Sequence, residues 1–297
     1  VVVREDDTLE TLMEKVKTAT IIGTIQSTLT NFRYLNRKWQ ENCEEERLLG
    51  VSLTGIMDNA LTNGKTKGLE ELLRKLRQVA VDINLQWSKK LGIPQSVAIT
   101  CVKPSGTVSQ LVDSASGIHA RHNPYYIRTV RADKKDPLAK MMYDAGFPVE
   151  DDVTKPDHTW VFSFPVKGPK NGIYRKDMSA VEQLELWKIY QENWCEHKPS
   201  ITVSVKEEEW MGVGAWTYEN FDMMSGVSFL PFADHTYRQA PYQDCDKQQY
   251  DELMKKMPSA DWTKLSDYEE KDMTAGSQEL ACSADGGCEI VDLSSVG

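Results

Sequence analysis

The stretch Lys103-Pro104-Ser105-Gly106-Thr107-Val108-Ser109 directly follows a β-favouring run, Ser96 to Val102, and precedes residues able to start a helix. A strand, a tight Ser/Gly/Thr loop and a helix N-terminus together make a way of holding a phosphate. Backbone N–H groups point outward, the helix dipole favours an anion, and the hydroxyls of Ser105, Thr107 and Ser109 can donate. Gly106 lets the backbone approach closely. The second glycine and the lysine of a Walker loop are missing. An ordinary strand–turn–helix connection with a Ser or Thr N-cap would use the same residues without a ligand.

The second candidate is Cys282-Ser283-Ala284-Asp285-Gly286-Gly287-Cys288. Two thiols on a Gly-rich segment can close a disulfide with little backbone strain, and can enter a cleft and leave it again. Two exposed, inert cysteines are the alternative. No further Cys or His lies near enough in that segment for a metal site. Cys43, Cys101 and Cys195 sit among apolar or helical residues and read as small buried hydrophobes; Cys245 lies in a polar stretch. His119, His122, His158, His197 and His235 show no metal-ligand spacing, so no metal is expected.

The elements that must position these residues alternate. A first helix carries Leu9, Leu12, Val16, Ala19, Ile22, Leu29 and Phe32, with Asp7 and Glu10 as a capping box. A second runs from about Gly68 to Lys89, and Gly92 and Pro94 mark its end. Ser96–Val102, Thr159–Phe164 and Ile201–Val205 read as strands. Val181, Leu184, Trp187 and Trp194 mark a third helix. Glu44-Glu45-Glu46 and Glu207-Glu208-Glu209 read as helix-start carboxylates, and Tyr125-Tyr126 as half-buried packing. Helices alternating with short apolar strands predict an α/β fold, a barrel or part of one. The composition turns polar after Ser259, which divides the chain into a domain over 1–258 and a flexible tail over 259–297.

The chain has 297 residues, 45 carboxylates against 35 Lys and Arg, and six cysteines. This acidic balance disfavours a nucleic-acid partner. The lack of a long apolar run disfavours a membrane span, and few cysteines point to reduced thiols in the cytoplasm. The start, Val1-Val2-Val3-Arg4-Glu5, has no signal-peptide layout and no methionine, as in a processed or split piece.

Several stretches together resemble the large subunits of ribonucleotide reductases. Gly50-Val51-Ser52-Leu53-Thr54-Gly55-Ile56-Met57-Asp58 looks like the glycine-rich segment after the active-site loop. Pro104 to Ser109, continuing through Ser116-Gly117-Ile118-His119 to Tyr125-Tyr126-Ile127-Arg128, looks like the substrate-phosphate loop and its sequel. Asn193 to Ser200, Glu209-Trp210, Gly226 to Pro231 and Ala240-Pro241-Tyr242 resemble the monomeric, adenosylcobalamin-dependent class II branch. The resemblance implies the C-terminal part of a ten-stranded α/β barrel, acting on ribonucleotides (triphosphates above all) by thiyl-radical chemistry. It places phosphate binding at Ser105, Gly106, Thr107 and Ser109, and a redox pair at Cys282 and Cys288 that is re-reduced by a thioredoxin- or glutaredoxin-like protein. It places cobalamin contacts near 115–175 and 235–275. The family's radical cysteine stands in an Asn-Pro-Cys-x-Glu-like signature, which this sequence lacks. Asn42-Cys43-x-Glu45 matches in part, but the downstream motifs put the finger loop before Val1. The resemblance therefore implies an N-terminal half as partner. A class I-type fragment and a non-catalytic nucleotide-binding module are the alternatives.

Overall fold

The structure, a computed structural model, describes residues 1–232 and 237–269. These divide into two compact units, one from 1–124 and 168–232, the other from 125–167 and 237–269.

The first unit begins with α1 (Leu9–Gln26) and α2 (Arg37–Glu46). It continues with β1 (Val51–Ser52), α3 (Leu69–Leu91), β2 (Thr100–Cys101) and the short α4 (Gly106–Leu111). The second unit opens with β3 (Tyr125–Asp133), α5 (Pro137–Asp144), β4 (Val149–Asp151) and β5 (Thr159–Lys167). The chain then returns to the first for α6 (Ala180–Asn193), β6 (Ile201–Val205), α7 (Trp210–Glu219) and β7 (Val227–Pro231). It ends, among the described residues, with β8 (Tyr242–Asp244), α8 (Lys247–Lys256) and α9 (Leu265–Tyr268) in the second.

In the first unit β1 pairs with β2 and β6 with β7, both in parallel. Single backbone bonds extend these pairs. Val3 N–H donates to Thr54 O (2.8 Å) beside a parallel bridge of Val2 with Thr54, and Ser200 N–H donates to Val102 O (3.1 Å). Residues 1–3, β1, β2, β6 and β7 thus follow one another as a five-segment array. No sheet closes among the described residues, so the mixed α/β class holds while the expected ten-stranded barrel is not seen here.

Helices α3 and α6 line this array because their apolar residues recur at helical spacing. Leu69, Leu73, Leu76 and Ala80 are buried on α3, and Ala180, Leu184, Trp187 and Tyr190 on α6. The aromatic polar tips all find acceptors: Trp187 Nε1 donates to Pro199 O, Trp194 Nε1 to Cys101 O and Tyr190 OH to Thr62 O. Beyond the apolar residues Leu12 and Val16, α1 carries the buried Thr20 and Thr24, and α3 the buried Asn84 and Ser88. Asn84 Nδ2 donates to Thr24 Oγ1 (3.0 Å) and Ser96 Oγ (2.9 Å), all buried.

Several local expectations are corrected. Thr8 caps α1 through a reciprocal box with Thr11, where Asp7 and Glu10 were expected, and the helix ends at Gln26, short of Leu29 and Phe32. Glu44–Glu46 close α2, where they were expected to open a helix. The Glu207 run does lead into α7. Tyr125-Tyr126 open the nine-residue β3, which pairs along its whole length with β5.

The second unit is an antiparallel sheet ordered β4-β5-β3-β8, with a small core around Ala139, Met142, Phe147 and Phe162. Residues 259–269, expected as tail, include a 3-10 turn at Trp262–Lys264 and α9. Trp262 lies 5.9 Å from the Phe147 ring. Residues 270–297, with Cys282 and Cys288, lie outside the described residues.

Candidate nucleotide-phosphate site

The parallel pairing of β1 and β2 brings the segments that follow them together, at the strand ends where open α/β sheets bind ligands. Ser105 is the N-cap residue of α4, yet its side chain makes no capping bond. It turns sideways, and its Oγ lies 2.7 Å from Thr54 Oγ1 and 3.3 Å from Ser116 Oγ. Gly117 N–H donates to both Thr54 Oγ1 (2.9 Å) and Ser105 Oγ (3.0 Å).

Two glycines make this approach possible. Gly55 has φ 80°, and a Cβ there would stand 2.4 Å from Val3 O. Gly117 has φ 50°, and a Cβ there would stand 2.9 Å from Lys103 O. Gly106 differs. Nothing lies within 4 Å of where its Cβ would be, so the first turn of α4 opens onto clear space. Thr107 lies in that turn. Ser109 is buried and points inward, its Oγ donating to Gly106 O (3.2 Å). Of the sequence-derived set, Ser105, Gly106 and Thr107 sit where an anion could meet the helix N-terminus, while the Ser109 hydroxyl serves the helix itself.

Behind the loop lies a buried ion pair that the sequence reading missed. Arg121 Nε and Nη2 reach Asp58 Oδ1 and Oδ2 at 2.8 and 3.0 Å, and Nη1 reaches Asp113 Oδ1 at 2.8 Å. Burial opposes the Arg121 charge, but the hydrogen bonds and proximity of Asp58, then Asp113, outweigh it and raise its pKa. Asp58 also accepts Ala115 N–H (2.8 Å), which fixes the turn that ends at Gly117. The only sequence signal was an acid inside the apolar run Gly55-Ile56-Met57-Asp58. His119 locks the other side. Its Nδ1 lies 3.0 Å from Ser116 O, and its Nε2 accepts Thr202 N–H at 2.9 Å. The ring is therefore neutral with its proton on Nδ1, and burial holds its pKa below the ordinary histidine value.

Cys101, Cys195 and Cys245 are buried and Cys43 is half-buried, as free thiols. Burial pushes the Cys195 thiol pKa up, which makes it a poor nucleophile.

Over 228 residues the chain is 32% identical to an adenosylcobalamin-dependent ribonucleoside-triphosphate reductase of Euglena gracilis. The match covers 74% of this chain and 31% of that protein. The chain is a relative of these reductases. A probable reductase of the same name from Dictyostelium discoideum is 30% identical, with 74% of this chain and 29% of that protein covered. The Lactobacillus leichmannii reductase is 26% identical over 71% of this chain and 32% of its own length. The chain thus spans about a third of the length of the reductases it matches. The crystal structure of a B-12-dependent, class II ribonucleotide reductase shares the fold: TM-score 0.76 and 24% identity, over 88% of this chain and 40% of that one. No family model matches the chain.

Proposed function

We propose that the chain is the C-terminal part of a class II ribonucleotide reductase and that it holds the phosphates of a ribonucleoside triphosphate. The observation that carries this is the open first turn of α4 at Gly106, standing at the end of a parallel strand pair. The amides of that turn, with Ser105 and Thr107, would bind and orient the anion. The five-segment array is read as half of a ten-stranded barrel, with the other half contributed by the segment that carries the radical cysteine.

For adenosylcobalamin, the regions expected to make contact fall largely in the second unit. There Tyr143 stacks on Trp160 with centroids 4.4 Å apart and is half exposed. The buried Arg128 Nε has no hydrogen-bond partner. An exposed aromatic face such as that of Tyr143 suits a planar macrocycle. When bound, that cofactor supplies the initiating radical. Cys282 and Cys288 are read as the pair that passes electrons from a thioredoxin-like protein, spaced by five residues where the family more often has four.

Calorimetric titration with CTP tests the loop. Gly106→Val should abolish binding without loss of fold, since its Cβ meets no neighbour. Thr107→Val should cost about 1.5–3 kcal/mol, the worth of one hydrogen bond to a charged group. Unchanged affinity in both would refute the assignment. Co-expression with the upstream reading frame, followed by a deoxynucleotide assay with adenosylcobalamin and a dithiol, tests the activity.

A further inference from the structure

We propose that Thr54 is a positioning residue for the phosphate loop, acting through a hydroxyl relay that lets Ser105 switch its proton toward a bound anion; this rests on the phosphate reading of α4 above.

Thr54 is buried and its backbone is pinned on both sides. Its N–H donates to Val1 O (2.9 Å), and its O accepts Val3 N–H (2.8 Å). Its hydroxyl has three neighbours: Ser105 Oγ at 2.7 Å, Ala115 O at 3.0 Å and the Gly117 N–H at 2.9 Å. Gly117 N–H can only donate, and Ala115 O can only accept. Thr54 and Ser105 therefore share two protons in two arrangements. In the first, Thr54 donates to Ala115 O and Ser105 donates to Thr54. In the second, Thr54 donates to Ser105, and the Ser105 proton is released toward the mouth of the loop.

The second arrangement leaves no buried acceptor unmet, because Ala115 O already takes Gly55 N–H at 2.8 Å. Gly117 N–H serves both oxygens in either state. An anion at the first turn of α4 would thus gain a hydroxyl donor by two rotations of C–O bonds, with no movement of the backbone. Ser105 faces this role because it caps nothing in its own helix. Without the Thr54 hydroxyl, Ser105 would have to give its proton to Ser116 or lose its fixed orientation.

The test uses the intact polypeptide carrying this sequence, titrated with CTP and with inorganic tripolyphosphate. Thr54→Val should weaken both by about tenfold, the effect of one lost hydrogen bond to a charged group. Thr54→Ser, which keeps the hydroxyl, should stay within about twofold of the parent. In a Ser105→Ala background the Thr54→Val penalty should vanish, since the relay ends at Ser105. A purely structural threonine would lower the melting temperature but leave that penalty equal in both backgrounds, and this result would overturn the proposal. If Thr54→Val does not fold, Thr54→Ala gives the same comparison without a methyl against Gly117. Parent-like binding by Thr54→Val while Gly106→Val loses it would sink the relay and keep the phosphate site. Parent-like binding by both Gly106→Val and Thr107→Val would sink the phosphate site itself, and the relay with it.

Discussion

Asp58 and Arg121 show how much rests on one pair of residues. Both side chains are almost fully removed from solvent, so removing Asp58 takes from the buried Arg121 its two-point partner and leaves it only the exposed Asp113 carboxylate. Asp58→Ala should destabilise by about 3–5 kcal/mol in urea unfolding, while the loss in Glu14→Ala, on an exposed helix pair, should be within about 0.5 kcal/mol. His119 gives a pH signature. Its folded pKa is depressed, so the unfolded chain takes up a proton first as pH falls. The stability this histidine contributes is complete above about pH 6.5, the ordinary histidine value. It is lost as pH drops toward the lower, folded value. Unfolding midpoints measured from pH 8 to 5 should fall in the parent and fall less in His119→Gln. The strand, loop and helix around Ser105, Gly106 and Thr107 were legible in the sequence because they follow one another locally. Thr54 was not, because its link to Ser105 exists only once β1 and β2 are in register.

The long helices were legible for the same local reason. The stripe Leu69, Leu73, Leu76 and Ala80 fixes α3, and Gly92 in the left-handed conformation stops it close to where the sequence placed the end. Helix α2 was misread. Its three glutamates sit at the C-terminal end, where the macrodipole disfavours negative charge. Glu44 is partly compensated by accepting from Thr30 Oγ1 and Gln40 Nε2. Glu45 has no such bond among the described residues. Glu45→Lys should therefore stabilise the helix by about 0.3–1 kcal/mol at low salt, and added salt should erase the gain. The antiparallel sheet escaped notice because β3 mixes Arg128, Thr129, Val130 and Arg131 without clean alternation, and one of its partners, β8, lies far along the chain. Only the tertiary pairing with β5 and β8 makes it a strand.

At the scale of the molecule, the motif resemblance pointed to the reductases that the chain is similar to, while the division into two units was not visible in any change of composition. For the segment outside the described residues, Cys282→Ser with Cys288→Ser should abolish repeated turnover driven by thioredoxin in the reconstituted enzyme. A small dithiol should restore most of it, and survival of thioredoxin-driven turnover would remove these cysteines from the electron path. The second unit also has a folding order written into it. Strands β3 and β5 pair over nine residues, from Tyr125 opposite Lys167 to Asp133 opposite Thr159, and both come from one continuous stretch. Strand β8 pairs with only three residues of β3 and arrives after the whole α6–β7 segment has been made. A growing chain would hold the β3 edge bare for that interval, because short-range pairing forms before long-range closure. Native-state hydrogen exchange should then find the β8 amides opening at lower free energy than those shared by β3 and β5. The edge that β8 covers would be the surface through which unfinished chains stick to one another.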